Sequence, residues 1–143
     1  MIEFITNGNV LHRENTHVVL PITVKAGMQP NGTEEVFKYF PSLRDKVAKF
    51  QCENLNVGSF IADVYEGDIS FSLLVIDYRP RPGANVNYIT QALVGLSAHV
   101  RSLEGPLAIA SFAEDTAISK DVITKLISGI FLDCEASLKF YLN

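Results

Sequence analysis

His17-Val18-Val19-Leu20-Pro21-Ile22-Thr23 runs without a break into Val24-Lys25-Ala26-Gly27-Met28-Gln29-Pro30-Asn31-Gly32 and on into Thr33-Glu34-Glu35-Val36-Phe37-Lys38-Tyr39-Phe40-Pro41. The first segment is rich in β-branched and apolar residues and predicts a strand; the second is mostly polar, holds two glycines and a proline, and predicts a loop. In the third, Thr33 offers an N-cap and Glu34 and Glu35 an acidic first turn that complements the helix dipole. Val36, Phe37 and Phe40 then recur at helical spacing until Pro41 breaks the pattern. A strand that passes through a glycine-bearing loop into a helix is the opening of an α/β unit, and this stretch sets the class.

On the N-terminal side, Ile2 to Thr6 alternates apolar and polar residues as a strand does and stops at the turn Asn7-Gly8-Asn9. On the C-terminal side, Ser42 can cap a second helix carrying Leu43, Val47 and Phe50. Val57–Tyr65 and Ser70–Ile76 flank Glu66-Gly67-Asp68 and predict a hairpin, and Phe71 to Ile76 includes a continuous apolar run such as a strand covered on both faces carries. From Tyr88 to Leu103, Ile89, Leu93, Leu96 and Val100 mark the buried face of a long helix that ends near Gly105-Pro106. Leu107–Ala110 is a short buried strand and Ser111–Ala117 a loop. Ile118–Leu132 is a helix capped by Ser119 with Val122, Leu126, Ile127 and Ile130 inward, and Ala136–Leu142 closes the chain as a strand. The alternation predicts one α/β domain over residues 1–143, a three-layer sandwich with a central mixed sheet and helices on both faces. Ligands of such sheets settle beyond the carboxyl ends of the central strands, so the loops after Thr6, Thr23, Ile76 and Ala110 are the candidates.

Composition narrows the function classes. With 143 residues, 48% hydrophobic and 20% charged, the chain can bury one full core. A net charge of -4 opposes extended contact with nucleic acid, which needs a concentrated basic face. The one tight basic pair, in Arg79-Pro80-Arg81-Pro82-Gly83, reads as a solvated turn before it reads as an anion contact. Cys52 and Cys134 lack a second Cys or a His at ligand spacing and read as reduced, half-buried thiols; His12, His17 and His99 are scattered. No metal site and no cofactor is expected. No apolar run approaches the length of a membrane span, and Met1-Ile2-Glu3-Phe4 does not look like the start of a signal peptide, so a cytoplasmic location without membrane contact is expected.

The order of elements resembles that of macro domains, and most of all the compact branch holding the terminal ADP-ribose-protein glycohydrolases and the ADP-ribose phosphate phosphatase-like proteins. Ile5-Thr6-Asn7-Gly8-Asn9-Val10-Leu11 is similar to that family's first strand and turn. Lys25-Ala26-Gly27-Met28 through Phe37-Lys38-Tyr39-Phe40-Pro41 is similar to its first ligand loop and helix, and Ile109 through Val122 to its second. The resemblance implies a ligand-binding set of Asn9, Val10, Gly27, Met28, Gly32, Ser111, Phe112 and Ala113. Asn9 stands where the family commonly has an Asp that meets the adenine; it is equally well read as a turn residue. The family's loops are glycine-rich so that backbone N–H groups can approach phosphates. Here Gln29, Pro30 and Asn31 separate Gly27 from Gly32, and Ser111-Phe112-Ala113-Glu114-Asp115 has no glycine and two carboxylates.

For catalysis the resemblance implies a Lys at the end of the strand before the long helix and an Asp after the second loop. Asp115 matches the Asp; the Lys position falls at or beside Asp77-Tyr78, so the attacking amine is absent. Three functions follow. The pocket binds ADP-ribose or a related nucleotide without turnover; or it is closed and the chain is a non-catalytic protein-interaction module; or Asp115 serves as the acid/base residue of an ADP-ribosyl glycohydrolase or ADP-ribose phosphate phosphatase.

Overall fold

The computed structural model describes residues 2–6, 8–27, 29–53, 55–77, 86–101, 106–110, 119–135 and 137–142, and every structural statement refers to these. The elements in chain order are β1 (Ile2–Ile5), β2 (His17–Thr23), α1 (Asn31–Tyr39), α2 (Pro41–Gln51), β3 (Phe60–Glu66), β4 (Ile69–Asp77), α3 (Val86–His99), β5 (Leu107–Ile109), α4 (Lys120–Ile130) and β6 (Leu138–Tyr141). The strands form one mixed sheet in the order β1-β6-β5-β2-β4-β3. β3 runs antiparallel to β4, and the other neighbours are parallel.

The pleat divides the core in two. Successive strand residues point to opposite faces, so Val18, Leu20 and Ile22 of β2 join Phe71, Leu73 and Val75 of β4 on one side, while Val19, Leu74 and Ile76 face the other. The first side is covered by Val36 and Phe37 of α1 with Leu43 and Val47 of α2. The second is covered by Ile89, Leu93 and Leu96 of α3 with Ile123 and Ile127 of α4. Each fully buried aliphatic or aromatic side chain here contributes about 1.5–3 kcal/mol. The three-layer α/β/α sandwich expected from the alternation is the observed architecture.

Local chemistry corrects several details. Helix α1 begins at Asn31, two residues before Thr33, and no side chain caps it. The Thr33 hydroxyl instead donates to the Pro21 carbonyl at 2.6 Å, tying the helix to the strand before it. Ser42 does not cap α2, which starts at Pro41; its hydroxyl donates to Glu66. Ser119 does cap α4, accepting from the Val122 N–H. The buried face of α4 is rotated from the expected one: Ile123 is buried and Val122 is 48% exposed, because Ile123 rather than its neighbour shares a stripe with Ile127. Cys52, at the end of α2, is exposed rather than half-buried.

The hairpin turns at Gly67, whose positive φ of 58° suits glycine. On β3, an edge strand, Asp63 takes a φ of 60° where the register shifts between Ile61 and Val64, a bulge that bends the exposed ladder. Among the described residues no helix is long and apolar enough to cross a membrane.

Candidate functional site

The order of connections locates the crevice. From the carboxyl end of β2 the chain leaves toward β4 through α1 and α2 on one face, whereas from β5 it leaves toward β6 through α4 on the other. β2 and β5 are neighbours in the sheet, so their carboxyl ends part there and open the switch point at which α/β sheets take ligands. Thr23 and Ala110, at the carboxyl ends of β2 and β5, flank it. Asp77, 3% exposed, ends β4 beside them; its carbonyl accepts the Val24 N–H at 2.8 Å.

The loop after β2 is wound around the side chain of Gln29, which is 5% exposed. The carboxamide oxygen accepts from the Thr23 N–H at 2.9 Å and from the Thr23 hydroxyl at 3.3 Å. Its NH2 donates to the carbonyls of Gly27 at 3.1 Å and Lys25 at 3.4 Å. The Gln29 N–H donates to the Glu34 carboxylate at 2.8 Å, and Glu34 is paired with Arg44, whose guanidinium lies over the Phe37 ring. From α2, Gln51 donates to the carbonyl of Thr23 at 2.9 Å. Gly27 is exposed with φ of 139°, a conformation that a side chain would strain, so glycine is required there for the turn itself. Gly32 lies inside the first turn of α1 rather than in the loop.

A second polar cluster closes the end of β1. Asn9 is exposed and its side-chain oxygen accepts the Leu11 N–H at 2.9 Å, the behaviour of a turn residue. The Val10 carbonyl accepts from the side-chain amide of Asn15 at 2.9 Å, and the same amide donates to the Tyr141 hydroxyl at 2.8 Å. Asn15 is 1% exposed and its Oδ1 has no hydrogen-bond partner among the described residues. Gly8 lies beside them, and a Cβ there would come within 2.6 Å of Ile5 and 2.8 Å of the Tyr141 ring.

Asn9, Val10, Gly27 and Gly32 thus lie at the carboxyl ends of β1 and β2, on the same edge of the parallel sheet. Polar contacts there come from Gln29, which the sequence shows only as a spacer between two glycines, from Glu34, which it shows only as a first-turn acid, and from Asn15, which nothing in the sequence marks. Met28, Ser111, Phe112, Ala113, Glu114 and Asp115 lie outside the described residues, as do Tyr78, Arg79 and Arg81. Among the described residues no three His, Cys, Asp or Glu side chains gather as a metal ion would need.

No family model and no curated protein matches the sequence. Solved structures do match. The macrodomain of Mycobacterium tuberculosis DarG superposes with a TM-score of 0.86 at 14% identity, covering 100% of this chain and 98% of that one. The macrodomain of Thermus aquaticus DarG gives 0.81 at 12% identity, again with 100% and 98% covered. Thermosipho africanus DarTG in complex with ADP-ribose gives 0.82 at 13% identity, covering 99% of this chain and 42% of that one. At such identities the likeness establishes the fold alone: the described residues have the macrodomain architecture.

Proposed function

We propose that this chain, a macrodomain in fold, binds ADP-ribose or a related nucleotide across the carboxyl ends of β1, β6, β5 and β2 without turning it over. The observation that carries the reading is the superposition of 99% of this chain on 42% of a protein solved with ADP-ribose, together with the crevice at the switch between β2 and β5. Size supports it. Three strand spacings separate β1 from β2, about 14 Å at roughly 4.8 Å each. A nucleotide extended through a pyrophosphate spans that separation from Asn9 and Val10 to the loop of Gly27, and inorganic phosphate does not.

Absence of turnover is supported by Asp77. It ends the strand before the long helix, near the position at which the related hydrolases present a lysine, and a buried carboxylate cannot supply an attacking amine. Asp115, Ser111, Phe112, Ala113 and Met28 complete the proposed site on grounds of sequence position.

Titration calorimetry and thermal shift with ADP-ribose, AMP and inorganic phosphate test this. Saturable binding is expected for ADP-ribose, weaker binding for AMP and none for phosphate, with Asn9→Ala weakening ADP-ribose about tenfold, the loss of one hydrogen bond of about 1.4 kcal/mol. Wild type and Asp115→Ala should both fail to release ADP-ribose from an ADP-ribosylated substrate. Failure of every nucleotide at millimolar concentration would favour the second reading, a closed module for protein contact. The self-satisfied loop around Gln29 is the observation on that side.

A further inference from the structure

The geometry points to a latch, made by Gln29 and Glu34, that holds the first ligand loop shut and sets how tightly an anionic ligand can bind; this rests on the ADP-ribose reading. Two features combine. The Gln29 carboxamide satisfies the Thr23 N–H and two carbonyls of its own loop from a buried position, doing inside the loop what a ligand's polar groups would do from outside. The Gln29 N–H, which lies immediately before α1, is already bonded to a carboxylate, that of Glu34. Glu34 therefore occupies with its own negative charge the place where the helix dipole and a backbone donor would favour a phosphate.

The latch is anchored at both ends. Arg44 of α2 pairs with Glu34 and rests on Phe37, and Gln51 of α2 holds the Thr23 carbonyl. A phosphate that takes the Gln29 N–H must first displace Glu34, and until then it meets a like charge at the same donor. A charge-assisted bond of this kind lowers the open population, and with it the apparent affinity, by about ten- to a hundredfold. The contact discriminates by ligand group: a pyrophosphate competes with Glu34 for the Gln29 N–H, and a nucleoside does not.

The test is calorimetry with ADP-ribose and with adenosine on wild type, Glu34→Ala and Gln29→Ala, with melting temperature followed in parallel. Each variant is expected to bind ADP-ribose about tenfold tighter while melting lower, and adenosine is expected to change little. If Gln29→Ala does not fold, Glu34→Ala decides, because the Glu34 side chain is partly solvent-exposed whereas Gln29 is buried. Wild-type binding that is unchanged or weaker in folded Glu34→Ala would overturn the latch and leave the ligand reading standing. No ADP-ribose binding by wild type or by either variant at millimolar concentration would overturn both.

Discussion

Asn15 joins two segments distant in sequence: its amide donates to the Val10 carbonyl in the turn after β1 and to the Tyr141 hydroxyl on β6, while its own oxygen has no partner among the described residues. Asn15→Ala removes both bonds and leaves the Tyr141 hydroxyl buried, and a loss of about 1–3 kcal/mol is expected in denaturant titration. Tyr141→Phe should cost less, and the double variant should fall short of the sum by about 1 kcal/mol, since both changes break one bond. Glu66 makes a separate prediction. Lys46 at 2.9 Å and the Ser42 hydroxyl at 2.8 Å hold its carboxyl below the usual value of 4.5. A depressed folded pKa stabilises above the unfolded value and ceases to do so as pH falls through the folded one. The melting temperature of wild type should therefore drop below about pH 4.5 more steeply than that of Glu66→Gln. Neither Asn15 nor Gln29 announces itself in the sequence. Each is a single amide in a polar stretch with no period, and only the tertiary position of its partners makes it a hub.

At the scale of elements, the sequence was legible where one periodicity ran long enough to be counted. Ile89, Leu93, Leu96 and Val100 are all buried on or just beyond α3, and the alternation along β2 and β4 divides the residues between the two faces as the pleat demands. It was less legible at helix starts. Thr33 has the chemistry of a cap, yet Pro30, with φ already set near a helical value, leads the chain into α1 one turn earlier and frees the hydroxyl for Pro21. On α4 two adjacent β-branched residues, Val122 and Ile123, offered alternative stripes, and packing against the sheet selected the second. The junction of α3 with β3 is equally invisible in composition. Gly95 packs against Phe60 so closely that a Cβ would lie 2.9 Å from the ring. Gly95→Ala gains up to about 1 kcal/mol of helix propensity but forces the ring aside at about 1–3 kcal/mol, so net destabilisation is expected. Phe60→Leu in the same chain should recover most of it, as a melting experiment on the pair would read.

For the whole molecule, the element order and the layers were legible because alternating strands and helices admit few arrangements, whereas the state of the crevice was not. Openness depends on whether loop donors are satisfied internally, and residues such as Gln29 and Glu34 settle that through contacts the chain's composition does not encode. The global prediction is a stability one: ADP-ribose at 100 times its dissociation constant should add about 2.7 kcal/mol to unfolding, and a mixture of AMP and phosphate should not reproduce it. The pairing of β1 with β6, Ile2 against Leu138, has its own consequence. β1 lies at the edge of the sheet and pairs with β6, and at about 5–20 residues per second the two are synthesised roughly 7–27 s apart. Through that interval the nascent protein carries an unmatched apolar segment, and the sheet acquires its outer rim only once Leu138 to Tyr141 have emerged. A translational stall before Leu138 would leave the same rim bare that a nick there would.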